Sequence, residues 1–186
     1  MKIDETLLED RMNDTLSNLR YYDMLGAKVV DEYSSELDAK VNEIQAYMKR
    51  CREFNAEFDV PSLQRICMEL SSVIYYTQDK LERLGLLEDL SNIAYKDKYG
   101  KKYLEKQADH DAGTKYSVEQ LKNYAEQEAL PEKLTNFIYS HAASIIKGKI
   151  ESAYELLKAS SKALSASIES MKMSGTGYRF NSWFLV

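Results

Sequence analysis

From Val30 to Cys51 the apolar residues Val30, Tyr33, Leu37, Val41, Ile44, Met48 and Cys51 follow one another at steps of three or four. That spacing draws an apolar seam along one side of a helix, whereas on a strand it would scatter across both faces. A similar rhythm returns late in the chain, where Leu134, Ile138, Ile145, Ile150, Leu157, Leu164, Ile168 and Met171 lie on or near one stripe. Such near-heptad seams need a partner helix. Seven Gly and two Pro in 186 residues leave too few turn-formers for a β-sandwich or a glycine-cradled nucleotide fold. The expected fold class is all-α: an elongated bundle of about six helices, two of them long and coiled-coil-like, with a non-helical aromatic C-terminal tail.

The breaks between helices are read from caps and breakers. A first helix is expected from the Asp4 cap through Leu7, Leu8, Met12, Leu16, Leu19 and Tyr22 to Leu25, ending at Gly26. A second covers about 29–57. Phe58-Asp59-Val60-Pro61 marks a boundary, because Asp59 offers a cap and Pro61 fits only a first turn. A third helix runs to Leu84 and stops at Gly85, and a fourth runs from Leu86 to Gln107 with a flaw at Gly100. The stretch 108–114 reads as a loop. Ser117, with Gln120 at the capping-box position, starts a short fifth helix that ends near Leu130-Pro131. The sixth spans about 132–172, and the small residues crowding its second half favour close approach of a neighbour. Residues 1–60 are thus expected as an acidic helical pair, 61–174 as a bundle and 175–186 as the tail, in one compact domain overall.

Charge is unevenly placed. Residues 1–60 carry 14 acids and 8 bases, the remainder 16 acids and 17 bases, giving the net −5 of the whole chain. Polyanion binding is therefore expected in the second part, above all in 95–106, which holds five Lys against two acids. No apolar run reaches the ~20 residues of a membrane span. No signal-peptide core opens the sequence, so no membrane association and a cytoplasmic location are expected. Cys51 and Cys67 lie in apolar helical patterns without CxxC spacing and read as reduced core residues.

The most distinctive local pattern is Tyr95-Lys96-Asp97-Lys98-Tyr99-Gly100-Lys101-Lys102-Tyr103, followed by Leu104-Glu105-Lys106. On a helix Tyr95, Tyr99 and Tyr103 share a face, and Lys98, Lys102 and Lys106 recur beside them at the same step. Rings that stack bases beside ammonium groups that neutralise phosphates suit single-stranded nucleic acid. Half-buried tyrosines packed in a bundle, ringed by solvated lysines, explain the same spacing. The nucleic-acid candidates are Tyr95, Lys98, Tyr99, Lys101, Lys102, Tyr103 and Lys106. A second candidate surface is the tail, where Tyr178, Arg179, Phe180, Trp183 and Phe184 resemble interface anchors for its own bundle or for a protein partner.

Catalytic chemistry finds little support. His110 between Asp109 and Asp111 has no spaced partners for a metal, His141 stands alone, and the carboxylate pairs Glu126/Glu128 and Asp31/Glu32 lie on polar faces. A non-enzymatic protein without metal or cofactor is expected.

From Tyr95 onward the order of features resembles the phage recombination mediators of the UvsY type, small helical proteins that assist a recombinase on single-stranded DNA. The Tyr-rich run Tyr95 to Lys101 is similar to the family's basic and aromatic helix end, and 118–128 to its acidic segment. The helix containing Ile146-Lys147-Gly148-Lys149-Ile150-Glu151 and continuing to Met173 is similar to its last helix. The resemblance spans about residues 95–173 and rests on order and character rather than an invariant motif. It implies a homo-oligomeric mediator binding single-stranded DNA by multivalency, with a recombinase as protein partner and the host cytoplasm as its location if phage-encoded. Lys98, Lys101 and Lys102 would then neutralise phosphates while Tyr99 and Tyr103 stack. The alternative expectation is a structural or protein-interaction module, such as a virion component or inhibitor, acting through oligomerisation and the tail.

Overall fold

The computed structural model describes residues 5–54, 56 and 58–173, with side chains from Leu16 onward. These residues form four helices and no strand: α1 (Glu5–Glu53), α2 (Val60–Asp111), α3 (Val118–Glu128) and α4 (Leu130–Met173). The all-helical class agrees with the periodicity. The expected Asp4 cap and the aromatic tail with Tyr178, Arg179, Phe180, Trp183 and Phe184 lie outside the described residues.

The number of helices differs from the expected six because Gly26 and Gly85 do not end anything. α1 and α2 each run straight through the expected stop, merging two expected helices into one. Glycine terminates a helix by taking a left-handed φ, and among the described glycines only Gly113 does so, at φ 120°. The packed rows also stay in phase across both positions: Tyr22 and Leu25 are followed by Val29, Val30 and Tyr33, and Leu81 and Leu84 by Glu88, Ser91 and Tyr95, all buried or half-buried. Continued burial outweighs the ~1 kcal/mol that one interior glycine costs. Gly100 likewise leaves α2 unbroken. The expected loop at 108–114 starts later than its polar composition indicates, since α2 continues to Asp111 and carries Asp109 and His110 in its last turn.

Other boundaries follow the cap chemistry. Before α2, Asp59 Oδ2 accepts from the Ser62 backbone N–H at 3.0 Å and from its hydroxyl at 2.6 Å, and Pro61 occupies the first turn. Ser117 and Gln120 form the full capping box at α3: Ser117 Oγ accepts from the Gln120 N–H at 3.2 Å, and Gln120 Oε1 from the Ser117 N–H at 2.8 Å. α4 begins at Leu130 rather than 132, because Pro131 is accommodated in a first turn.

The chain divides into two compact units, residues 1–34 with 79–147 and residues 35–78 with 148–186. In the second, Leu37 and Ile44 from α1 are buried, as are Leu63, Ile66, Leu70 and Ile74 from α2 and Ile150, Ala153 and Ser160 from α4. The α1 seam read from sequence is a packed face in this unit: Leu37 and Ile44 are fully buried, and Val41, Met48 and Cys51 are half-buried. Lys40 reaches Glu69 on α2 at 2.8 Å and Lys149 on α4 pairs with Asp38 on α1. Cys51 and Cys67 are free thiols, half-buried rather than fully in the core. Cys67 Sγ lies 3.7 Å from Ser161 Oγ. Of the small residues of late α4, Ala153 and Ser160 are fully buried, and Ser160 satisfies its hydroxyl on the Leu156 carbonyl at 2.9 Å.

In the first unit the buried positions include Leu84 on α2, Leu121 and Ala125 on α3, and Ala142 and Ile146 on α4. Asn136 on α4 ties into α2, its amide donating to the Glu88 carbonyl at 2.9 Å and to Ser91 Oγ at 3.1 Å. This unit holds the tyrosine and lysine stripe.

Candidate functional site

All seven residues of the expected nucleic-acid face lie on the continuous α2; the fourfold step gathers Tyr95, Tyr99 and Tyr103 with Lys98, Lys102 and Lys106, whereas Lys101 lies off that face, 72% exposed. Tyr95 and Tyr99 have ring centroids 6.2 Å apart, tilted by 50°, and Tyr99 and Tyr103 stack at 6.4 Å and 19°. All three rings are half-buried. This face is the side of α2 that meets α3 and the start of α4. Lys106 Nζ lies 4.9 Å from the ring centroids of both Tyr116 and Tyr124, and Lys133 Nζ from α4 lies 6.0 Å from the Tyr95 centroid.

Three of the four lysines are already matched by carboxylates of their own helix: Lys101 by Asp97 at 2.6 Å, Lys102 by Glu105 at 2.7 Å and Lys106 by Asp109 at 3.1 Å. Lys102 and Lys106 keep only 25% and 23% of their side chains exposed, against 72% for Lys101. The Glu105 hydrogen bond holds Lys102 above the ordinary lysine range, and the Tyr116 hydroxyl, then Asp109, does so for Lys106. Among the described residues Lys98 has no carboxylate within ion-pair distance. Beside Lys106 an open cleft of about 270 Å³ is lined by Tyr116, Gln120, Asn123, Tyr124 and Gln127.

The histidines sit apart from any cluster. His110 Nδ1 is 3.3 Å from Asp111 Oδ1 in the last turn of α2. His141 stacks on Phe137 with centroids 5.9 Å apart and planes 6° apart. Among the described residues no three His, Cys, Asp or Glu side chains converge as metal ligands, and no helix is long and apolar enough to cross a membrane.

One surface escapes the sequence reading. Leu86, Leu90, Ile93 and Leu104 on α2 are 64%, 61%, 62% and 65% exposed. At about 100° per residue they fall within an arc of roughly 60°, half a turn round the helix from Leu84 and the tyrosines. α2 in this unit is therefore apolar on two faces, one packed against α3 and α4 and the other open. The signal was present as steps of four and three at 86, 90 and 93, but such steps say only that a helix has a seam, not which of two seams the fold covers. A smaller open row lies on α4, where Phe137 is 65% and Ile145 39% exposed.

No family model, curated protein or solved structure matches the chain.

Proposed function

We propose that this chain is a non-enzymatic protein-interaction module whose working surface is the outward apolar face of α2. The observation that carries this reading is the row Leu86, Leu90, Ile93 and Leu104, each more than three-fifths exposed on a helix whose opposite face is already packed. Leu86, Leu90 and Ile93 form the continuous part of the row, with Asp97 between them and Leu104; an exposed apolar cluster on a surface helix costs solubility, and its natural use is recognition of another helix or groove. The test is a variant with Leu86, Leu90 and Ile93 all changed to Gln, which preserves helix propensity. With helix content and melting temperature unchanged, its cross-linking to other protein chains in the native cell should be lost. Cross-linking equal to that of the parent protein would overturn the reading.

A second reading, an accessory that binds single-stranded nucleic acid in the manner of the recombination mediators it resembles, is favoured by the cleft beside Lys106. That cleft combines two tyrosines with the side-chain amides of Gln120, Asn123 and Gln127, groups that suit base edges and ring faces. It ranks second because Lys101, Lys102 and Lys106 already have carboxylate partners. Oligonucleotide binding that weakens steeply with salt and falls when Lys98, Lys101 and Lys102 become Ala would place it first; no binding at low salt would exclude it.

A further inference from the structure

The edges of the outward α2 row carry charge in an order that selects an occupant. Along one edge Glu82, Asp89 and Lys96 stand seven residues apart, all exposed, and among the described residues none has an ion-pair partner. The opposite edge is Leu87, Ala94 and Lys101, with Lys101 engaged by Asp97. In two helices packed along such rows, a parallel arrangement sets unlike edges against each other, and an antiparallel one sets like edges together. A parallel second copy would leave Glu82 and Asp89 facing Leu87 and Ala94, and Lys96 facing Lys101. An antiparallel second copy centred on Asp89 brings Glu82 of each helix opposite Lys96 of the other.

The same register serves the apolar side chains. With the centre at Asp89, Leu86 comes level with Ile93 of the second helix to within one residue, about 1.5 Å of rise, and the two Leu90 meet near the axis about 3 Å apart in height. One centre thus pairs Glu82 with Lys96 and sets the apolar side chains level. Resting on the protein-interaction reading above, the geometry points to a second copy of this chain as the occupant: an antiparallel, two-fold pairing of α2 through Leu86, Leu90 and Ile93, locked in register by reciprocal Glu82 to Lys96 ion pairs. Asp89 opposes its own counterpart at the axis and weakens the pair. The contact is short, at the small end of stable interfaces, so association is sought at roughly micromolar concentrations.

The experiment is sedimentation equilibrium of the full chain across the micromolar range, with cysteine cross-linking in a Cys51→Ser, Cys67→Ser background. A monomer–dimer equilibrium is expected, weakened roughly tenfold or more when Leu86, Leu90 and Ile93 become Gln. Glu82→Lys and Lys96→Glu should each weaken it by roughly three- to tenfold, the double exchange should restore it, and Asp89→Asn should tighten it. Under oxidation, mixed Glu82→Cys and Lys96→Cys chains should cross-link, whereas either alone should not. A monomer at all concentrations, a dimer indifferent to the three Gln changes, or a double exchange that fails to restore association would overturn the second-copy pairing. Among these, a monomer whose cross-linking to other proteins still depends on Leu86, Leu90 and Ile93 would overturn the pairing and leave the protein-interaction reading standing, while loss of both dependences would remove both.

Discussion

Replacing Gly85 by Ala distinguishes a continuous α2 from one that breaks where the sequence places a stop, because the two structures give opposite signs. In the continuous helix Ala is better than Gly by about 0.8–1.0 kcal/mol, through the backbone freedom that Gly surrenders on folding. A methyl built on Gly85 meets nothing within 4 Å, so no clash offsets that gain. Were Gly85 instead a left-handed terminal residue, Ala would lose about 1 kcal/mol or more there, since an added Cβ crowds the carbonyl oxygen. The outcomes are separated by about 2 kcal/mol. Gly26→Ala carries the same expectation, its methyl also meeting nothing within 4 Å. Gly113 is the internal contrast: at φ 120° its replacement by Ala should destabilise although the space around it is open. Urea unfolding followed by far-UV circular dichroism resolves the question. For a slope of about 1–3 kcal/mol/M the midpoint should rise by roughly 0.3–0.9 M in Gly26→Ala and Gly85→Ala. A fall in the Gly85→Ala midpoint would refute the account of α2 as one helix.

Two further outcomes follow from the caps and the ion pairs. Asp59→Ala and Ser117→Ala should each cost about 1 kcal/mol in chemical unfolding; the larger loss of helical signal is expected for Ser117, because α3 has only 11 residues and leans on its capping box. At the Lys40–Glu69 pair the hydrogen bond from Lys40 holds Glu69 below the ordinary carboxylate range. Its stabilisation is therefore complete above that range and disappears as pH falls through the lowered value, so the stability gap between parent and Glu69→Gln should narrow as pH drops below the ordinary carboxylate range and close below the lowered value. A gap that persists in acid would show that Glu69 acts through packing instead.

What the sequence made legible, and what it left dark, separate along a physical line. Caps are local: Asp59 and Ser117 act on backbone groups within three residues, and both appear where their chemistry requires. The α1 seam from Val30 to Cys51 was equally readable, because every member of a single-sided row ends up buried or half-buried. Glycine misled because its meaning depends on φ, which Gly26, Gly85 and Gly113 do not advertise; only the last takes the left-handed value. The tyrosine and lysine stripe was ambiguous for a deeper reason. An amphipathic row of rings and ammonium groups is equally suited to a ligand and to a neighbouring helix, and periodicity along one helix holds no information about what α3 does. Lys106 shows the consequence: its charge is taken up by Tyr116, Tyr124 and Asp109, groups 3 to 18 residues further along the chain. Once those contacts claim the inner face, the two-faced composition of α2 acquires a direction it lacked as a string, and Leu86, Leu90 and Ile93 stand more than three-fifths exposed on the other side. The order of charge beside them, Glu82, Asp89 and Lys96, is what supports the proposed pairing with a helix whose order runs backwards.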